Sequence, residues 1–135
     1  MKTTVTCTNL ENLQVQLRTD AHSWVADEPP RLGGDGLGPN PFDLLLASLA
    51  ACTTLTVYHH AAEKGIPAEK IWVDAAGEWK KDDDDGETYH IAITLRVRGE
   101  LEGEQLGELE AIAQRCPVKK LLDPAAHITT EVEAV

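Results

Sequence analysis

The chemistry that stands out in this 135-residue chain is carried by cysteine. Cys52 lies inside the apolar stretch "SLAACTTLTVYHH" (48–60), and Cys116 follows 64 positions later in "QRCPVKKLL". A thiol is a nucleophile only as the thiolate, so the issue for each is what would lower its pKa. Pro117 suits the first position of a helix, which makes Cys116 the N-cap, at the positive end of the helix dipole. Arg115, Lys119 and Lys120 add positive charge around it. These features favour a reactive thiol; the competing reading is a helix entry whose basic side chains satisfy the preceding helix's carbonyls. Cys52 has less local support, because a mid-helix thiol gains little from the dipole and apolar surroundings raise its pKa. It needs a cation from elsewhere, for which Arg18, at a strand end, and Arg31, in a loop, are the candidates. By composition and spacing alone, Cys52 reads as core filling.

Other clusters carry less. "EPPRLGGDGLGPNP" (28–41) matches neither G-x-G-x-x-G nor a P-loop and reads as a flexible entry to a helix. The run Asp82–Asp85 lacks the spaced ligands of a calcium loop and reads as a solvated hairpin tip. His22, His59, His60, His90 and His127 form no zinc-ligand spacing, so no metal or other cofactor is expected. Cys7 has no local partner signal and reads as packing.

The elements that must position the thiols follow from periodicity. Residues 3–8, 13–18 and 22–27 alternate as short strands, with "NLEN" as a turn between the first two. A helix is expected from Asn40 as N-cap, with Pro41 at its first position and Asp43 where a capping-box acid falls, to Gly65 as the terminating glycine. Its first half is apolar on every face, which predicts enclosure by a sheet on one side and a partner subunit on the other. Two long strands, about 69–80 and 87–98, are joined by an Asp-Gly hairpin signal. Residues 102–115 make an amphipathic helix with Leu106, Leu109, Ile112 and Ala113 on one face, and Cys116 continues that stripe. "PVKKLL" is a short helix, and "HITTEVEAV" closes as a strand. The order βββ-α-ββ-αα-β describes one α+β domain.

Composition bounds the partners. The net charge of −11 and the few aromatics disfavour nucleic acid and anionic lipid. No apolar run is expected to reach bilayer-spanning length, and no signal peptide is expected at "MKTTVTCTNLENLQ". The expected setting is therefore the cytoplasm, where cysteines stay free or redox-active.

Taken together, "GPNPFDLLLASLAACTTLTV", "AAEKGIP" and "CPVKKLL" resemble the OsmC/Ohr family, the osmotically inducible and organic-hydroperoxide-resistance proteins. The resemblance spans roughly residues 22–135 and is weakest at the N-terminus. It implies an α+β fold in an intertwined homodimer, with the two cysteine helices central and active sites at the subunit interface. It also implies thiol peroxidase chemistry on organic hydroperoxides or hydrogen peroxide. Cys52 matches the peroxidatic cysteine and Cys116 the resolving one. The resulting disulfide is reduced by an external thiol, often a dihydrolipoyl group in this family. A family arginine lowers the pKa of the first cysteine, and an acid orients that arginine. Where the best-characterised peroxidases carry Glu, this chain has Phe42; Asp43 follows one step later. On an ideal helix Asp43 points about 180° away from Cys52, so it either serves another subunit's site or only caps its helix. Lys119 stands where closer relatives often have His. The alternatives to an enzyme are a thiol protein that senses oxidant or binds an electrophile without turnover, and a scaffold with inert cysteines.

Overall fold

Proline at position 41 and glycine at position 65 bracket the longest helix of the chain. The computed structural model describes residues 2–123, so the expected closing strand "HITTEVEAV" lies outside the described residues. The elements are strands β1 (Thr6–Asn9), β2 (Val15–Arg18) and β3 (Ser23–Ala26) and helix α1 (Pro41–Lys64). They continue with the paired strands β4 (Lys70–Lys81) and β5 (Glu87–Arg98), then helices α2 (Gly103–Ala113) and α3 (Pro117–Leu122). The chain divides into two compact units at the first turns of α1, residues 1–47 and 48–135.

In the N-terminal unit, β1, β2 and β3 form an antiparallel meander, with Cys7 opposite Leu17 and Leu17 opposite Trp24. The first turn places Asn12 in the left-handed region (φ 51°), which Asn tolerates better than most residues. The loop after β3, expected to be a flexible helix entry, is instead tied to one carboxylate. Asp27 is only 2 % exposed and accepts hydrogen bonds from the Glu28 amide (2.7 Å), the Asp35 amide (3.2 Å) and the Leu37 amide (3.1 Å). Burial opposes the charge on Asp27, but the amides of Leu37, Glu28 and Asp35 outweigh it and hold its pKa below the ordinary value. Gly34 is needed here because a Cβ would lie 1.8 Å from the Glu28 carbonyl oxygen. The loop contains a short 3₁₀ turn, Pro30–Leu32, before the chain enters α1.

The start of α1 carries the predicted reciprocal cap. The Asp43 amide donates to Asn40 Oδ1 (2.9 Å), and the Asn40 amide donates to Asp43 Oδ2 (3.0 Å). Its end is a Schellman turn: Gly65 adopts φ 63°, and the Ile66 amide reaches back to the Ala61 carbonyl at 2.9 Å.

In the C-terminal unit, the buried residues of α1 are Leu49, Thr53, Val57 and Ala61, one every four positions. Val57 and Ala61 pack with Ile66 and Leu109, against Ile71 of β4, Leu95 and Val97 of β5, and Ile112 of α2. β4 and β5 pair antiparallel along all twelve residues of each. The hairpin loop spans 82–86, and the left-handed residue is Asp85 (φ 62°) rather than the glycine that follows it. Of the expected stripe on α2, Leu109 is fully buried, whereas Leu106 is 48 % exposed. A contact of 2.7 Å between His60 Nε2 and Glu108 Oε1 ties α1 to α2.

Helix α1 corrects one sequence expectation. At 24 residues, with mean hydropathy 1.4 over its most apolar window, it is long and apolar enough to cross a membrane by length and composition. Length and composition are shared by the core helices of water-soluble proteins, and one stripe of α1 does pack into a core. The enclosure expected on every face is only partly supplied by this chain, since Leu55 and Tyr58 are 67 % and 60 % exposed.

Candidate functional site

The chain brings Cys52 and Cys116 into hydrogen-bond contact within the C-terminal unit. Cys52 comes from the middle of α1 and is half-buried, whereas Cys116 is fully buried at the N-cap of α3. The local reason for the second placement is the Cys-Pro junction. Pro117 has no N–H and a φ suited to the first helical position, so α3 begins there and leaves Cys116 facing its free amides.

The two thiols are driven apart electrostatically. Burial raises the Cys52 pKa, and acting as hydrogen-bond donor to Cys116 raises it further; the Val118 amide and Thr56 hydroxyl oppose this without reversing it. Burial also opposes ionisation of Cys116. There it is outweighed by the Cys52 thiol, the Lys119 amide, the Thr53 hydroxyl and the Val118 amide, so Cys116 lies below the ordinary thiol value. The amides act by facing the sulfur at the helix start, although the neutral thiol makes no full cap hydrogen bond. Cys116 is thus the more readily ionised of the pair.

The same unit holds an open pocket of about 510 Å³. Ile91, Ile93 and Leu95 of β5 and Leu106 of α2 supply apolar lining, and Glu110 and Gln114 of α2 polar lining. Neither thiol lines it, but Thr53 and Lys119, both of which act on Cys116, do. Its size is that of a small-molecule site.

The remaining sequence candidates fall in the N-terminal unit. Arg18 ends β2, is exposed, and lines a polar groove with Thr4, Thr6, Thr8 and Gln16. Arg31 is exposed in the 3₁₀ turn. The Asp43 carboxylate accepts the Asn40 amide in the helix cap, which already accounts for its place in the chain. Phe42 is 46 % exposed. Cys7 is exposed on β1. Among the described residues, no cluster of three or more His, Cys, Asp or Glu could hold a metal ion.

Sequence reasoning missed Thr53. Its signal was available: in the four-residue repeat Leu49, Thr53, Val57, Ala61, a single polar residue interrupts a buried stripe.

An α+β chain with one thiol on a long helix and a second at a Cys-Pro helix start defines a paired-thiol protein. Residues 33–131 match the model of the OsmC-like protein family, and the chain belongs to that family. Solved structures share the fold. The OsmC-like protein of Mycoplasma pneumoniae is 21 % identical with a TM-score of 0.78, over 92 % of this chain and 89 % of that one. The organic hydroperoxide resistance protein OhrB of Bacillus subtilis is 22 % identical, with a TM-score of 0.66 over 93 % of both chains. That of Elizabethkingia anophelis is 20 % identical, with a TM-score of 0.71 over 93 % of this chain and 91 % of that one. Among curated proteins no match is found.

Proposed function

We propose that this chain is a thiol peroxidase acting on organic hydroperoxides, with Cys52 as the attacking sulfur and Cys116 as its resolving partner. The observation that carries the reading is the Cys52–Cys116 contact: two free thiols within hydrogen-bond reach are placed to exchange between dithiol and disulfide. Cys52 is the more accessible of the two, which suits the sulfur that meets the peroxide. With the activating arginine beside it Cys52 ionises; its thiolate attacks one peroxide oxygen, the O–O bond breaks, and the alkoxide leaves as an alcohol after taking a proton. The Cys52 sulfenic acid then condenses with Cys116, forming the S–S bond and releasing water. A thiol reductant, of which a dihydrolipoyl group is one chemical class, restores the pair by exchange. The isoleucine and leucine side chains in the pocket that Thr53 lines suit the carbon chain of an organic hydroperoxide. The names of the hydroperoxide-resistance proteins sharing the fold agree with this substrate class.

The activating cation is assigned to Arg18 or Arg31, following the family resemblance. The chain works as a homodimer in the cytoplasm, the exposed Leu55 and Tyr58 of α1 being covered by the second copy.

Reductant-linked turnover of cumene hydroperoxide and hydrogen peroxide tests the reading, using wild type, Cys52→Ser, Cys116→Ser, Arg18→Ala and Arg31→Ala. Turnover is expected in wild type and lost in Cys52→Ser, with one arginine variant slowed at least about tenfold. A second reading is a redox sensor without turnover, and the raised pKa of Cys52 favours it. Stoichiometric loss of two thiols with no turnover supports the sensor and removes the enzyme; no thiol loss removes both.

A further inference from the structure

We propose that Thr53 is a positioning residue of the thiol pair, its buried hydroxyl held off the helix backbone so that it donates to the Cys116 sulfur when that sulfur carries the charge. Three threonines follow Cys52 closely, and they differ in a telling way. Thr54 donates to the Ala50 carbonyl at 2.8 Å, and Thr56 donates to the Cys52 carbonyl at 2.7 Å. This back-bond to the residue four positions earlier is the ordinary resting place of a helical threonine hydroxyl. Thr53 does not make it. Its Oγ1 has no hydrogen-bond partner although the residue is only 1 % exposed. A buried hydroxyl without a partner is costly, so such a group is uncommon unless another state of the site uses it. The neighbour it faces is Cys116, whose ionised form it favours.

Ionisation of Cys116 therefore supplies the missing partner: a thiolate accepts from the Cys52 thiol, from the Thr53 hydroxyl and from the amides at the start of α3 together. The other titratable groups around this position are Cys52 on α1, Glu110 on α2 and Lys119 on α3. From β5 the same pocket receives only apolar side chains and Thr94, which brings no charge. The device favours charge on the resolving sulfur, and it does so from the residue directly after Cys52.

The consequence for turnover rests on the proposed peroxidase reading. Once Cys52 is a sulfenic acid, the Cys116 thiolate attacks its sulfur. The S–S bond forms as the S–O bond breaks, and the departing hydroxide takes a solvent proton to become water. A thiolate ready in advance makes this step less dependent on pH.

The test is ionisation itself, which needs no peroxide. Thr53→Ser and Thr53→Ala differ only by the hydroxyl and are compared with Thr53 itself in a Cys7→Ser background, following thiolate absorbance against pH. Thr53→Ala is expected to raise the lower thiol midpoint by about 0.5 to 1 pH unit, a roughly three- to tenfold weaker ionisation, while Thr53→Ser keeps it near the parent. Thr53→Val serves as the isosteric check and should match Thr53→Ala. Equal midpoints for the Ser and Ala variants overturn the proposal, as does a shift shared by both, which would mark a packing role. A protein that passes this titration but fails to turn over peroxide leaves Thr53 in place and removes only the peroxidase reading.

Discussion

The Cys52 thiol donates a hydrogen bond to the Cys116 sulfur, so the pair titrates jointly and the two sulfurs are chemically unequal before any oxidant arrives. The donor is harder to ionise and the acceptor easier. Which cysteine is the thiolate is therefore a property of the contact and belongs to neither residue alone.

Removing either partner should move the other in a definite direction. Cys52→Ala deletes the donor, so Cys116 should titrate closer to the usual thiol range near ~8.5. Cys116→Ala should lower the Cys52 midpoint, though burial keeps it from falling far. The linkage to stability follows the same signs. Cys116, depressed in the fold, contributes stability that is present above the unfolded thiol value and lost as pH falls through its folded value. Cys52, raised in the fold, contributes stability that is present below the unfolded value and lost as pH rises through its folded one. As pH rises through the thiol range, the Cys116 contribution is gained while that of Cys52 is lost. Cys52→Ala removes one and moves Cys116 toward its ordinary value, so it should leave melting nearly independent of pH there. Thermal melting in a reducing buffer across this range checks both.

Asp27→Asn should weaken the loop after β3 and change its response to acid. The wild-type carboxylate is depressed by three backbone amides, so its contribution is present above the unfolded value near ~3.9 and fades as pH falls through the lower folded value. The variant should be less stable at neutral pH but lose less on acidification, which acid titration of the folded fraction will show. Parallel acid curves for the two proteins would contradict this account.

Gly34→Ala should damage the same loop by a different route. The new methyl would sit 1.8 Å from the Glu28 carbonyl oxygen and close to Asp27 Oδ1, so the backbone must move. A loss of about 1–3 kcal/mol is expected in urea unfolding. Gly65→Ala gives the contrast: nothing lies within 4 Å of its Cβ, and only its left-handed φ opposes the change, at about 1 kcal/mol.

Leu109 and Leu55 should answer in different experiments. Leu109 is fully buried in the C-terminal core, and Leu109→Ala should cost about 2–5 kcal/mol. Leu55 is 67 % exposed, so Leu55→Lys should barely change the unfolding of an isolated chain. If a second copy covers α1, Leu55→Lys instead shifts sedimentation toward the monomer; an unchanged sedimentation profile would remove Leu55 from that interface.

Much of the fold was legible because it is set by near neighbours. Pro41 with Asn40 and Asp43 starts α1 and Gly65 ends it through φ and hydrogen bonds within a few residues. The alternation in β4 and β5 likewise announces their shared apolar face. The loop at 27–38 was less legible, since its order comes from one carboxylate collecting amides up to ten positions away. The hairpin tip was legible as a turn but not in its detail, with Asp85 taking the left-handed conformation expected near Gly86.

For the site, the sequence by itself determined that Cys116 caps a helix and that Cys52 sits within one, because both statements depend on adjacent residues. Tertiary structure alone decided that these thiols meet, that Cys116 is the more acidic, and that the Thr53 hydroxyl is left facing it. Those properties arise from burial and through-space hydrogen bonds between α1 and α3, and no local spacing along 64 residues encodes them.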